Sequence, residues 1–193
     1  TGQGAGTGTN NDGVCLNTSA QVTSTGSGSI ALTGAGAGTA PGVRTVGAGT
    51  LIGAAGHSGV ITVSADTATG ADSIVLAGTA IRGTGDLVLR PIDPASTVGI
   101  AGGAGEYNLS TTELGYVQNG FDSITVGRAN GSGAVTTGTY AYNADVTLRG
   151  ATSNISVGTT TLPVPGGNDA GTLTIDTAGT VTQTGPITAT NLV

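Results

Sequence analysis

Apolar and polar positions alternate along this chain in short bursts, without the spacing of an amphipathic helix. An apolar residue, any residue and a second apolar residue recur at Ile30/Leu32, Ile61/Val63, Ile74/Leu76, Leu87/Leu89, Ile124/Val126, Val146/Leu148, Ile155/Val157 and Leu173/Ile175. Side chains two apart in an extended backbone share a face, so each triplet predicts a short strand with one apolar side. Most residues between the pairs are small or polar, as at Ala31, Thr62, Thr125, Thr147, Ser156 and Thr174; Val75 and Val88 are exceptions, expected to face a neighbouring structure. Strands this short do not suit long hairpins. Asn-Gly occurs at Asn119-Gly120 and Asn130-Gly131, but tight two-residue linkers are otherwise scarce. What recurs instead is an interval: Ile61, Ile74 and Leu87 follow thirteen residues apart, so one coil of about 26 residues carries equivalent strands on successive rungs.

The expectation is an all-β chain, a single parallel β-solenoid over residues 1–193 in which each coil hydrogen-bonds to the coils above and below. About seven coils at about 4.8 Å each give a stack roughly 35 Å tall. Two stretches break the rhythm. Residues 90–121 open with Arg90-Pro91-Ile92-Asp93-Pro94, whose prolines donate nothing to a ladder, so this stretch is expected to leave the stack as a loop. Inside it, Ser110-Thr111-Thr112-Glu113 has capping-box spacing and is followed by Leu114 and Val117, which predicts a short helix at about 111–118. The second break, Leu162 to Asp169, reads as a proline turn followed by a glycine corner.

Composition sharpens the picture. Glycine takes 37 of the 193 positions while aromatic residues make up 3% and charged residues 8%, so any core is thin and lined by Val, Ile, Leu and Ala. Glycine-rich, weakly charged chains can be disordered, but a solvated linker has no reason to keep β-branched residues in alternating runs. The basic residues are Arg44, Arg82, Arg90, Arg128 and Arg149, and the net charge is −6; this argues against nucleic acid or an anionic membrane, which need clustered cations. No segment is long and apolar enough to insert in a bilayer. Cys15 is the sole cysteine, which excludes an internal disulfide and a multi-cysteine metal site.

Residues 6–34 and 102–133, Gly/Thr/Asn-rich coils around Asn10-Asn11-Asp12-Gly13 and Tyr107-Asn108-Leu109, resemble the passenger regions of filamentous-haemagglutinin-like bacterial proteins. The resemblance implies a right-handed parallel β-helix, secretion across the outer membrane with a partner transporter, an extracellular or cell-surface location, and a role in attachment, aggregation or surface filaments. The family's secretion signal and receptor-binding regions have no matching segment here.

Candidate chemistry is sparse, and no catalytic role is assigned. Parallel β-helices also host polysaccharide lyases and hydrolases, and Asp72, Asp86, Asp122 and Asp145 each precede an apolar pair closely enough to align along one edge; aspartates before strands are also ordinary corner residues. Arg90 and Arg149 sit at strand exits, as solvated corner charges or in contact with a carboxylate of a neighbouring coil. Calcium is the one cofactor worth naming, at Asn10-Asn11-Asp12-Gly13 and Gly166-Gly167-Asn168-Asp169, because Asp, Asn and corner carbonyls are hard oxygen ligands. His57, flanked by Gly56, Ser58 and Gly59, is expected in an exposed corner. Tyr107, Tyr116 and Phe121 gather in the 90–121 stretch and are the candidate partner-contact residues. The readings that follow are a structural or adhesive extracellular scaffold, a filament or surface-layer subunit stacking end to end with copies of itself, and a carbohydrate-active β-helix enzyme. Expected partners are neighbouring coils, further copies, or host-cell and surface glycans.

Overall fold

The computed structural model describes residues 1–6, 10–68, 72–162 and 171–193. The turn expected at 162–169 and the calcium candidate at Gly166-Gly167-Asn168-Asp169 lie outside these residues beyond Leu162. The chain winds as a parallel β-solenoid. Its long sheet takes one strand from each pass: Gly2–Gln3, Ile30–Gly36, Ile61–Thr67, Asp86–Pro91, Ser123–Arg128, Asp145–Gly150, Thr172–Asp176 and Asn191–Leu192, every neighbouring pair parallel.

The apolar pairs set the register. Ile30, Ile61, Leu87, Ile124, Val146 and Leu173 stack in one column, and Leu32, Val63, Leu89, Val126, Leu148 and Ile175 in the next. Both columns face inward and are almost entirely buried up to Leu173, with Ile175 half-buried. Successive coils therefore take 31, 26, 37, 22 and 27 residues between Ile30, Ile61, Leu87, Ile124, Val146 and Leu173. The interval of 26 holds between Ile61 and Leu87, and corner loops of differing length absorb the rest. The middle residues Thr62, Val88, Thr125, Thr147 and Thr174 form the outward column between the two.

Two further faces close the coil. On the second face, Ile74 stacks on Val43 and Val14 in the lower coils, and Val135, Ile155 and Val181 stack in the upper ones. On the third, Val22, Ile52 and Ile81 stack below. Above them Tyr140–Ala141, Thr160–Thr161 and Ile187–Thr188 form a separate three-stranded sheet. Not every threonine faces outward: Thr45, Thr79, Thr137 and Thr160 are buried at the corner between the second and third faces. There the Thr45 hydroxyl accepts the Ala77 N–H at 2.8 Å and the Thr137 hydroxyl accepts the Gly158 N–H at 2.9 Å. Buried hydroxyls thus satisfy main-chain groups that the turning ladder cannot.

The 90–121 stretch stays in the stack, contrary to the loop expected from its prolines. Pro91 ends a strand, where its missing N–H costs no ladder bond, and Pro94 contributes its carbonyl, which accepts the Ser132 N–H at 2.7 Å. Beyond them Val98–Ile100 and Tyr107–Leu109 pair in parallel with only residues 101–106 between them, far less than the dozen or more usual for a parallel crossover. The return runs over the outside of Gly99: a Cβ there would lie 2.2 Å from the Gly103 carbonyl oxygen, and one on Gly105 would lie 2.1 Å from the Gly99 nitrogen. Glycines at these positions permit the close approach. The chain so adds an extra rung to the second face, tied to the coil below where Ser73 N–H donates to Glu106 C=O at 2.8 Å.

The helix is a single turn, Thr111–Leu114, shorter than the expected 111–118. Its capping box is complete, with Ser110 and Glu113 exchanging side-chain to main-chain bonds, and the other Glu113 carboxylate oxygen accepts the Leu76 N–H at 2.9 Å. The helix stops because Ile81 captures the next residues in extended form: its N–H donates to Tyr116 C=O and its C=O accepts the Gln118 N–H, each at 2.9 Å.

Candidate functional site

A concavity lies on the third face, just above that capture. Residues 116–118 bond downward to Ile81, while Tyr140–Ala141 bond upward to Thr160–Thr161. Among the described residues no backbone hydrogen bond joins residues 116–120 to 140–143. The ladder is therefore interrupted here, and a cleft opens between two rungs.

Its walls come from both sides of the break. Leu114, Val117 and Phe121 approach from the single-turn helix and its exit, and Tyr140 and Tyr142 from the rung above. The two tyrosines, alternating on an extended segment, meet edge to face with ring centroids 4.9 Å apart and planes at 71°, a geometry aromatic quadrupoles favour. Gln118, Asn119 and Asn143 supply the polar groups, and the Asn143 amide donates to Asn119 Oδ1 at 2.7 Å, a clasp between the rungs. No charged side chain lines the cleft. The enclosed space is about 20 Å³, room for roughly one water molecule.

Tyr142 is 3% exposed and its hydroxyl has no partner among the described residues. Burial raises its pKa, with Tyr140 adding to the effect, and burial also raises that of Tyr140. Both phenols are therefore neutral hydrogen-bonding groups. The cleft offers aromatic edges and amides, which suit neutral polar groups rather than ions.

Of the three candidate contact residues, two are turned inward. Tyr107 is fully buried and its hydroxyl crosses the column to donate to the Val63 carbonyl of the long sheet at 3.1 Å; Phe121 is 5% exposed. Tyr116 alone of the three is half-exposed. The reason is supply: a column fed only by small aliphatics uses its few large rings as filler. Tyr140, Tyr142 and Asn143 were not singled out from the sequence, although Tyr140/Tyr142 repeats the two-residue alternation of the aliphatic pairs.

The acidic candidates do not converge. Asp86 and Asp145 share a column of the long sheet but Ser123 stands between them. Asp86 accepts the Ser123 hydroxyl at 2.7 Å and Asp145 accepts the Thr172 N–H at 2.7 Å, as corner carboxylates do. Asp122 sits one position outside that column and Asp72 on the approach to the second face. In the other calcium candidate Asp12 is taken by Arg44, whose Nε donates to Oδ2 at 2.8 Å. Arg149 pairs with Asp176 of the next coil at 2.8 Å, and Arg90 donates to the Ser64 hydroxyl at 3.0 Å, so charges bridge coils. Among the described residues no three His, Cys, Asp or Glu side chains gather to hold a metal ion.

His57 departs from expectation. It is fully buried, and neither ring nitrogen has a partner among the described residues. Its backbone fixes this orientation: the N–H donates to Ala54 C=O at 3.0 Å and the C=O accepts the Thr84 N–H of the next coil at 2.7 Å, which turns the ring into the column.

Comparison with known proteins finds no matching family model, no matching curated protein and no matching solved structure.

Proposed function

We propose that the chain is a structural and adhesive scaffold at a bacterial surface, a segment of a filamentous extracellular adhesin. The observation that supports this reading is the eight-strand parallel ladder of the long sheet. In such a fold every coil is held by its neighbours, so length and stiffness come directly from the number of coils. The chemistry of the surface agrees: Asp86 and Asp145 are bound to hydrogen-bonding partners, and Arg44 with Asp12 and Arg149 with Asp176 pair across coils, so these charges serve the stack. Secretion and an extracellular location belong to the same proposal, through the resemblance of residues 6–34 and 102–133 to haemagglutinin-like coils.

Beads coated with the folded protein are expected to be retained on cultured cells above albumin-coated beads, with retention reduced by prior removal of surface glycans. Retention equal to that of albumin beads removes the adhesive role. Electron micrographs of the same material are expected to show single short rods; continuous fibres would instead support the end-to-end assembling reading.

A further inference from the structure

The dipeptide Asn-Gly occurs twice, and the fold gives its two copies opposite surroundings. In Asn119-Gly120 both residues are exposed, Gly120 has φ 124°, and its N–H donates to no acceptor among the described residues. In Asn130-Gly131 the glycine is buried, its N–H donates to Arg128 C=O at 2.9 Å, and its C=O accepts the Thr152 N–H at 3.1 Å. Each asparagine carbonyl is held by a donor at 2.7 Å: Asn143 Nδ2 on Asn119 and Arg128 Nε on Asn130.

We propose that Asn119 is a site of spontaneous covalent modification, deamidation through a succinimide, from which the fold protects Asn130. Hydroxide removes the Gly120 N–H proton, and the nitrogen attacks Asn119 Cγ. The new N–C bond forms as the Cγ–Nδ2 bond breaks, and the amide nitrogen leaves as ammonia after taking a proton from water. Water then opens the ring at either carbonyl, leaving aspartate or isoaspartate at position 119. The net change is amide plus water to acid plus ammonia, with no oxidation or reduction.

The two copies differ at the attacking nitrogen. Glycine supplies the unhindered nitrogen that this ring closure needs in both. Gly120 is an exposed residue whose N–H donates to no acceptor among the described residues, whereas at Gly131 the nitrogen must first break a turn hydrogen bond inside a packed corner. The electrophile is prepared in either case, since a donor already sits on the oxygen where negative charge develops. The Asn143 amide fills that role at the cleft, so the clasp that closes the interrupted ladder also activates its own partner.

The product changes the site. A carboxylate at position 119 brings the first charge to the lip of a cleft whose lining has none. Isoaspartate also lengthens the main chain by one methylene next to the corner where Phe121 is anchored in the core. This inference is independent of the adhesive reading.

The test is peptide mapping by mass spectrometry of the folded protein held in warm, mildly alkaline buffer, with isoaspartate scored by enzymatic methylation. The peptide containing Asn119 is expected to convert about fivefold or more faster than that containing Asn130, the factor set by one hydrogen bond to be broken. In the urea-unfolded chain the two rates are expected to converge. Equal rates in the folded protein, faster conversion at Asn130, or a difference that survives in urea would each overturn the proposal.

Discussion

Tyr107 and Tyr142 are both buried in the column, but only one has a use for its hydroxyl. The Tyr107 hydroxyl joins the second face to the long sheet through Val63, whereas the Tyr142 hydroxyl is buried with no partner among the described residues. A made hydrogen bond contributes about 1 kcal/mol net, while an unmade one in a buried site costs at least as much, about 1–3 kcal/mol. Tyr107→Phe is therefore expected to destabilise by about 1 kcal/mol and Tyr142→Phe to stabilise by a similar amount. Urea midpoints of the two variants, at unchanged slope, check the opposed signs. His57 teaches the same lesson about legibility. Its neighbours Gly56, Ser58 and Gly59 spell a corner, which the structure has, but which way a corner side chain points depends on hydrogen bonds to coils distant in sequence, here Thr84. No local pattern carries that information.

Strands were the legible elements, because a pair of aliphatics two apart needs only one apolar face to be placed. All eight pairs lie on or beside inward-facing strands, and six of them define the long sheet. The capping box at Ser110 was equally local and equally readable. What the sequence did not reveal was the doubling back of Val98–Ile100 onto Tyr107–Leu109, because Gly99, Gly103 and Gly105 read as loop glycines until the backbone they admit is seen lying across the strand. Glycines in this chain therefore divide into those that admit backbone and those that only turn corners. Gly127 belongs to the first kind: it lies within a strand at φ 94°, and a Cβ would fall 2.1 Å from the Arg149 carbonyl oxygen. Gly56 has no neighbour within 4 Å of such an atom and no positive φ. Gly127→Ala is expected to cost about 2 kcal/mol or more through backbone strain, and Gly56→Ala to stabilise by about 0.5 kcal/mol by restricting the unfolded chain. Thermal melting of the two variants separates them, and equal effects would show that the ladder yields at Gly127.

On the scale of the whole molecule the column lacks the usual alkaline buffer of a protein, because all five of its basic residues are arginine. Its response to high pH therefore falls on the tyrosines. Burial raises the pKa of Tyr107, Tyr142 and Tyr140 above the ordinary 10.0. In the unfolded chain these phenols release their protons near that value, while the folded chain retains them, so the unfolded state binds fewer protons and stability falls as pH rises. The stabilisation is fully present below 10.0 and shrinks above it. One pH unit higher, each fully protected phenol has cost about 1.4 kcal/mol. Tyr107 belongs to the doubled rung and Tyr142 to the rung above it, both in the middle of the stack. A solenoid frays from its ends without exposing its centre, so these two phenols ionise only when the middle coils part. Ultraviolet absorbance of tyrosinate and circular dichroism are then expected to change together, at a pH above 10.0, and the doubly substituted Tyr107→Phe/Tyr142→Phe protein is expected to lose stability less steeply over the same range. Tyrosinate appearing at both positions while the β signal stays intact would mean that the central rungs open to solvent without unfolding, and that the column is held less cooperatively than the continuous ladder of the long sheet implies.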